Sequence, residues 1–102
     1  MSDARRDEIA GNLAVVRARI DAACAAAGRD PGGVTLIAVT KTYPASDVAH
    51  LAALGVLDVG ENRDQEAAPK AEAVAAPVRW HYIGQLQRNK ARSVARYADV
   101  VH

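Results

Sequence analysis

Val34-Thr-Leu-Ile-Ala-Val-Thr40, closed by Lys41, is the stretch whose reading decides the fold. Seven uncharged and largely β-branched residues lie between Pro31-Gly32-Gly33 and Thr42-Tyr43-Pro44. An apolar run of this length bounded by turn residues reads as a buried strand of a parallel sheet. An ammonium at its end needs a partner or a chemical task, because desolvation disfavours the charged form and makes a lysine a better nucleophile. Two later runs end in the same way. Val56-Leu-Asp-Val59 leads into Gly60-Glu61-Asn62-Arg63, and Val78-Arg-Trp-His-Tyr-Ile83 leads into Gly84-Gln85. Three successive strands with polar ends describe a site on one side of a parallel sheet.

Helical patterns separate these runs. Ile9, Leu13, Val16, Ile20, Ala23 and Ala27 step by four or three residues, which predicts a long amphipathic helix from Asp3 to Ala27. Ser2 is placed to cap its start, and Gly28 to end it. Pro44 suits the first turn of a second helix, with Val48, Leu51 and Ala52 on its inner face and Gly55 as its stop. Asn62 to Ala76 is an alanine- and charge-rich helix in which Pro69 predicts a kink or break. A final helix is expected from Leu86 to Tyr97, with Leu86, Lys90, Val94 and Tyr97 on one side, and Asp99-Val-Val-His102 opens a fourth strand. One helix followed by three βα units and a further β predicts the α/β class, a parallel sheet with helices outside it. A closed (βα)8 barrel needs roughly 250 residues. The expectation is therefore half a barrel, truncated after the start of the fourth strand, whose open edges would favour self-association.

Bulk properties exclude several classes. The chain has 102 residues, half of them apolar, and a net charge of +1, so no overall field favours nucleic acid or anionic membrane. The four aromatic residues are scattered and do not form a base-stacking platform. No apolar run approaches the roughly 20 residues that span a bilayer, and the charged start, Ser2-Asp-Ala-Arg-Arg-Asp-Glu8, is not a secretory signal. Cys24 is the single cysteine; it fits a reducing compartment and reads as small core filler. The expected location is the cytoplasm. Neither a Gly-x-Gly-x-x-Gly nor a Walker-type loop occurs, and no serine sits in a nucleophile elbow.

The remaining candidates are ambiguous one at a time. A strand-end lysine reaching solvent accounts for Lys41 as well as chemistry does. Gly60 would relax a strand-to-helix turn, Asn62 would cap the next helix, and Glu61 would pair with a lysine or arginine. His81 has no second His or Cys at metal-ligand spacing, so a hydrogen-bonded core imidazole is the ordinary reading. Gln87, Asn89 and Lys90, with Arg88, stand at a helix start that would suit an anion or would be a plain polar first turn.

Jointly the strings are more specific. Leu36-Ile-Ala-Val-Thr-Lys-Thr-Tyr-Pro44, Gly60-Glu-Asn-Arg-Asp-Gln-Glu66 and Trp80-His-Tyr-Ile-Gly-Gln-Leu-Gln-Arg-Asn-Lys90, in this order and spacing, resemble the pyridoxal-phosphate homeostasis protein family. That family carries the alanine racemase-like N-terminal barrel domain, and the likeness covers nearly the whole chain. The resemblance implies a TIM-type (βα)8 barrel of which residues 1–102 supply the N-terminal half. It also implies pyridoxal 5′-phosphate as cofactor, held as a Schiff base on Lys41, with Asn62 beside the ring and His81 and Ile83 walling the pocket. The family's phosphate-binding loops lie in the C-terminal half. The function implied is non-enzymatic, a carrier in intracellular homeostasis of the cofactor, passing it to apoenzymes that accept it. The alternative is a fold-type III racemase-like enzyme needing a base on each face of the cofactor, for which Tyr43 and Tyr82 are candidates by residue type.

Overall fold

The computed structural model describes residues 2–102, and side chains from residue 4 onward. The chain divides into two compact units, one ending at Leu36 and one spanning Ile37–His102.

The first unit is dominated by helix α1, Ser2–Ala27. Its C-terminus closes as the glycine predicts. Gly28 takes φ +68°, and the N–H groups of Arg29 and Gly28 bond to the carbonyls of Cys24 (2.8 Å) and Ala25 (3.3 Å). This pairing of 6→1 and 5→2 bonds is a Schellman motif. The sheltered line on α1 is Ile9, Leu13, Ile20 and Cys24, whereas Val16, Ala23 and Ala27 are exposed. The expected apolar stripe is thus narrower than its spacing indicates. The cap expected of Ser2 lies outside the described side chains. After α1, Asp30 accepts from the Gly32 N–H (2.9 Å) and opens a short 3-10 turn, Pro31–Gly33.

The second unit alternates strands and helices: β1 (Ala38–Val39), α2 (Ala45–Ala53), β2 (Asp58–Glu61), α3 (Asp64–Ala73), β3 (Arg79–Tyr82), a 3-10 turn (Arg88–Lys90) running into α4 (Ala91–Ala95), and β4 (Val100–Val101). All neighbouring strands pair in parallel, in the order β1-β2-β3-β4. Chain order equals spatial order, as in a sheet that winds continuously around a barrel.

Several boundaries differ from the sequence expectation. Strand β1 covers only Ala38–Val39 of the predicted Val34–Thr40, because β2 offers rungs only from Asp58 onward. It is also half open, with Val39 48 % exposed. Strand β2 lies two residues later than expected. Gly55 (φ +88°) ends α2 with the same pair of bonds seen at α1, Gly55 to Ala52 (3.0 Å) and Val56 to Leu51 (2.9 Å). Val56 has therefore given its N–H to the helix, and the strand begins only at Asp58. Gly60 consequently lies inside β2 rather than in a turn. What it provides is close approach: a Cβ there would stand 3.2 Å from Ile83 Cδ1 and 3.4 Å from Ile37 Cγ2. Helix α3 runs through Pro69 and ends at Ala73. The last helix is shorter than expected, since Gly84 turns at φ +93° and Gln87 is still extended.

Opposed residues of a parallel pair point the same way, so alternation sorts the sheet into two faces. Val59 and Trp80 face the helices, forming a core with Val48 and Val78 that Leu51, Ala52, Ala71, Val74 and Tyr97 flank. Val48 and Val59 are wholly buried, and each such side chain contributes about 1.5–3 kcal/mol. Asp64 ties α3 to α4, accepting from Ser93 Oγ (2.9 Å) and Tyr97 Oη (3.1 Å). Burial, then the Asp64 carboxylate, holds the Tyr97 phenol above its ordinary range. The Trp80 amide is clasped from β4's side: its N–H donates to Asp99 Oδ2 (2.8 Å) while the Asp99 N–H donates to its carbonyl (2.8 Å).

Candidate functional site

The carboxyl ends of β1, β2 and β3 come together in one row. Thr40 N–H donates to the Gly60 carbonyl (3.0 Å) and Ile83 N–H to the Glu61 carbonyl (2.8 Å), carrying both ladders to the ends of the strands. One register step beyond Thr40, Glu61 and Tyr82 stand Lys41, Asn62 and Ile83. Three of the residues singled out in the sequence thus share a rim. His81 is two residues back on β3, opposite Gly60. Its ring is buried and engaged on both sides, with Nε2 2.9 Å from Asp58 Oδ1 and Nδ1 3.0 Å from His102 Nε2. A carboxylate only accepts, so Nε2 carries a proton. Among the described residues no cluster of His, Cys, Asp or Glu is arranged to hold a metal ion, and no helix is long and apolar enough to cross a membrane.

Lys41 is exposed, in the turn that follows β1. The buried ammonium expected at the strand end is instead that of Lys70, on α3. Lys70 Nζ donates to the Thr40 carbonyl (2.7 Å), to Glu61 Oε2 (2.9 Å) and to Glu66 Oε1 (3.3 Å). Thr40 Oγ1 also bonds to Glu61 Oε2, and Glu66 Oε1 accepts from the Thr42 N–H (2.6 Å). Glu61 is 1 % exposed; burial pushes its carboxyl up, opposed by the hydroxyl of Thr40 and the ammonium of Lys70. Glu66 moves the other way, held below its ordinary range chiefly by the Thr42 N–H. The pairing expected for Glu61 is therefore present, with Lys70 as its partner. Sequence reasoning gave Lys70 no role, and Glu66 enters it only as the last residue of the Gly60–Glu66 string. Only the i,i+4 spacing of Glu66 and Lys70 was there to notice, and that spacing usually marks a solvated pair.

Thr42 takes φ +70° and is the one non-glycine residue in the left-handed region among the described residues. For a β-branched side chain this costs roughly 1–3 kcal/mol, so surrounding bonds must hold it there.

Asn62 does not cap α3: the N-cap position is Arg63, with no side-chain bond. The Asn62 carbonyl accepts from Tyr82 Oη (3.2 Å), while its side-chain Oδ1 is buried and lacks a donor. Tyr82 is buried and on the helix face, and Tyr43 is exposed. Asn62 also lines a polar cavity of about 170 Å³ with Arg63, Tyr82, Gln85 and Lys90. An orphaned acceptor is unusual, because buried polar atoms nearly always find partners. Glu61 Oε1 is a second buried acceptor without a donor, and neither Lys41 nor Ile83 lines the cavity; what the rim row offers a ligand with an aldehyde is a primary amine, an amide and an aliphatic side chain.

No protein-family model matches the chain. Curated relatives do. A protein of Mycobacterium leprae is 44 % identical over 108 residues, covering 96 % of this chain and 42 % of the relative. One of Pseudomonas aeruginosa is 50 % identical over 95 residues, covering 92 % and 41 %, and one of Escherichia coli K12 is 44 % identical over 100, covering 94 % and 43 %. Each is named pyridoxal phosphate homeostasis protein. The chain thus spans about two fifths of the length of the curated relatives it matches. Among solved structures, an unknown protein from Bifidobacterium adolescentis superposes with TM-score 0.90 at 37 % identity, over all of this chain and 46 % of that one. PipY of Synechococcus elongatus, with PLP bound, gives 0.67 at 35 % identity over 81 % and 40 %.

Proposed function

We propose, for a chain that belongs to the pyridoxal phosphate homeostasis protein family, that it binds pyridoxal 5′-phosphate at the carboxyl rim of its sheet and serves to hold and buffer that cofactor. The observation that carries this reading is the register row Lys41, Asn62, Ile83, which brings a primary amine, an amide and an aliphatic side chain to one rim. When bound, the cofactor supplies an electrophilic aldehyde and an electron-withdrawing ring. Lys41 is the group for covalent attachment as a Schiff base; its exposure leaves the amine accessible. Asn62 would stand beside the ring, and Ile83 would present an apolar wall. His81, bonded to Asp58 and His102, would act from below the rim by keeping β2 and β3 in place. The names of the relatives and the PLP bound to PipY support the ligand class. The role is that of a carrier rather than a catalyst, in the cytoplasm, with apoenzymes that need the cofactor as its recipients.

Borohydride trapping tests the assignment. Wild type and Lys41→Ala are mixed with pyridoxal phosphate, reduced, and mapped by peptide mass spectrometry. The label is expected on the peptide containing Lys41 in wild type, with at least a tenfold loss in the variant. Equal labelling of both proteins removes Lys41 from this role.

A further inference from the structure

We infer that Lys70 and Glu66 are positioning residues for Lys41, gripping the backbone on either side of it; this rests on the reading of Lys41 as the attachment point. The geometry is specific to that one turn. Lys70 Nζ takes the Thr40 carbonyl at 2.7 Å, and Glu66 Oε1 takes the Thr42 N–H at 2.6 Å. Residues 40 and 42 are thus tied to α3 through two side chains that also bond to each other at 3.3 Å. Glu61 completes the grip from the neighbouring strand, accepting from both Thr40 Oγ1 and Lys70. Lys41 itself takes no bond in this arrangement.

A purely structural account would have Lys70 do no more than neutralise Glu61. It leaves two facts unexplained. One is that the ammonium spends its shortest bond on a backbone carbonyl. The other is that Glu66, on the rim side of the pair, accepts from the strained residue next to Lys41. A left-handed threonine persists only where its surroundings over-determine it. The clamp supplies that constraint, and so limits where the Lys41 stem can start. Attachment of the Lys41 nitrogen to an aldehyde carbon forms a C=N bond and expels the aldehyde oxygen as water. Its equilibrium improves when the amine is held near the bound geometry beforehand.

The test separates the clamp from the attachment itself. Thr42 amide hydrogen exchange, read by NMR on the full chain without ligand, reports the grip. Borohydride-trapped pyridoxal phosphate on Lys41 reports its consequence. In Glu66→Ala the Thr42 amide is expected to exchange at least tenfold faster and the trapped fraction to fall at least fivefold. Glu66→Gln, which keeps an acceptor oxygen, is expected to restore most of both, a rescue that loss of charge alone would not show. Should Lys70→Met fail to fold, the Glu66 pair still decides. Unchanged Thr42 exchange in Glu66→Ala overturns the clamp, and faster exchange with undiminished labelling overturns its positioning role. Label persisting in Lys41→Ala overturns the attachment reading instead, while Thr42 protection there remains that of wild type.

Discussion

Two charged clusters sit on the same small sheet, and they differ in how much water reaches their basic side chains, Arg79 and Lys70. On the face away from the helices, Asp58 is forked by Arg79, Nε at 2.8 Å and Nη2 at 3.0 Å, and touches His81. The Arg79 side chain is 64 % exposed. On the helix face the Lys70 and Glu61 side chains are 8 % and 1 % exposed. Both clusters bridge elements distant in sequence, yet their energetics are opposite in kind. Where one partner is solvated, water replaces whatever the pair loses, and such pairs contribute little. Where both are buried, each ion has been stripped of water and depends on the other. The Lys70 cluster therefore governs local geometry, whereas the exposed Arg79 adds little to the buried contact between Asp58 and His81.

The largest effect is expected at Lys70. Lys70→Met leaves Glu61 without its counter-charge and should cost about 3–5 kcal/mol, measured by urea denaturation. Adding Glu61→Met should recover most of the loss, because two apolar side chains owe no desolvation. A single-variant loss close to that of a surface pair would break the contrast. Next comes Thr42→Gly, which removes the left-handed strain stored beside the buried cluster. A gain of about 1 kcal/mol is expected from the strain itself, partly offset by the greater unfolded-state freedom of glycine, and again read from the denaturation midpoint.

Acid titration should separate the clusters by sign. Arg79, then His81, holds the Asp58 carboxyl at about 2, below its ordinary 3.8. A lowered carboxyl contributes fully above 3.8 and loses its contribution as pH falls toward 2. Glu61 is raised above its ordinary 4.5 by burial, so its contribution is full below 4.5 and fades as pH rises through the folded-state value. Denaturation midpoints measured between pH 2 and 6 should fall less steeply toward acid in Asp58→Asn than in wild type. Glu61→Gln should fall more steeply. Parallel curves for all three proteins would show the clusters to be equivalent. The smallest effect is expected from Arg79→Ala: the group is largely solvated, and its thermal midpoint should stay within a degree or two of wild type.

Much of this could be read in advance where the cause is local. Gly28 and Gly55 end helices because only a glycine enters the left-handed turn cheaply, and a reader of the chain can see that. Strand alternation and the shared rim of Lys41, Asn62 and Ile83 follow from apolar runs that each end in polar residues. What escaped notice depends on contacts across the fold. Nothing near Val56 reveals that its N–H is spent on α2, which displaces β2. Gly60 reads as a turn glycine until Ile37 and Ile83 are seen crowding it. Lys70 looks like a solvated helix lysine because its partners Glu61 and Thr40 lie 9 and 30 residues away. The amine that seemed buried and the one that is buried were exchanged for that reason.

The grip of Asp99 on Trp80 has a consequence for how the last strand finds its place. A strand of two residues carries almost no pattern by which to tell one alignment from the next, and a shift of one would turn its side chains to the wrong face. A carboxylate and an amide from the same residue, closing on the N–H and the carbonyl of one tryptophan, can be satisfied in a single alignment only. The address is written in one acidic residue, ahead of the strand it directs.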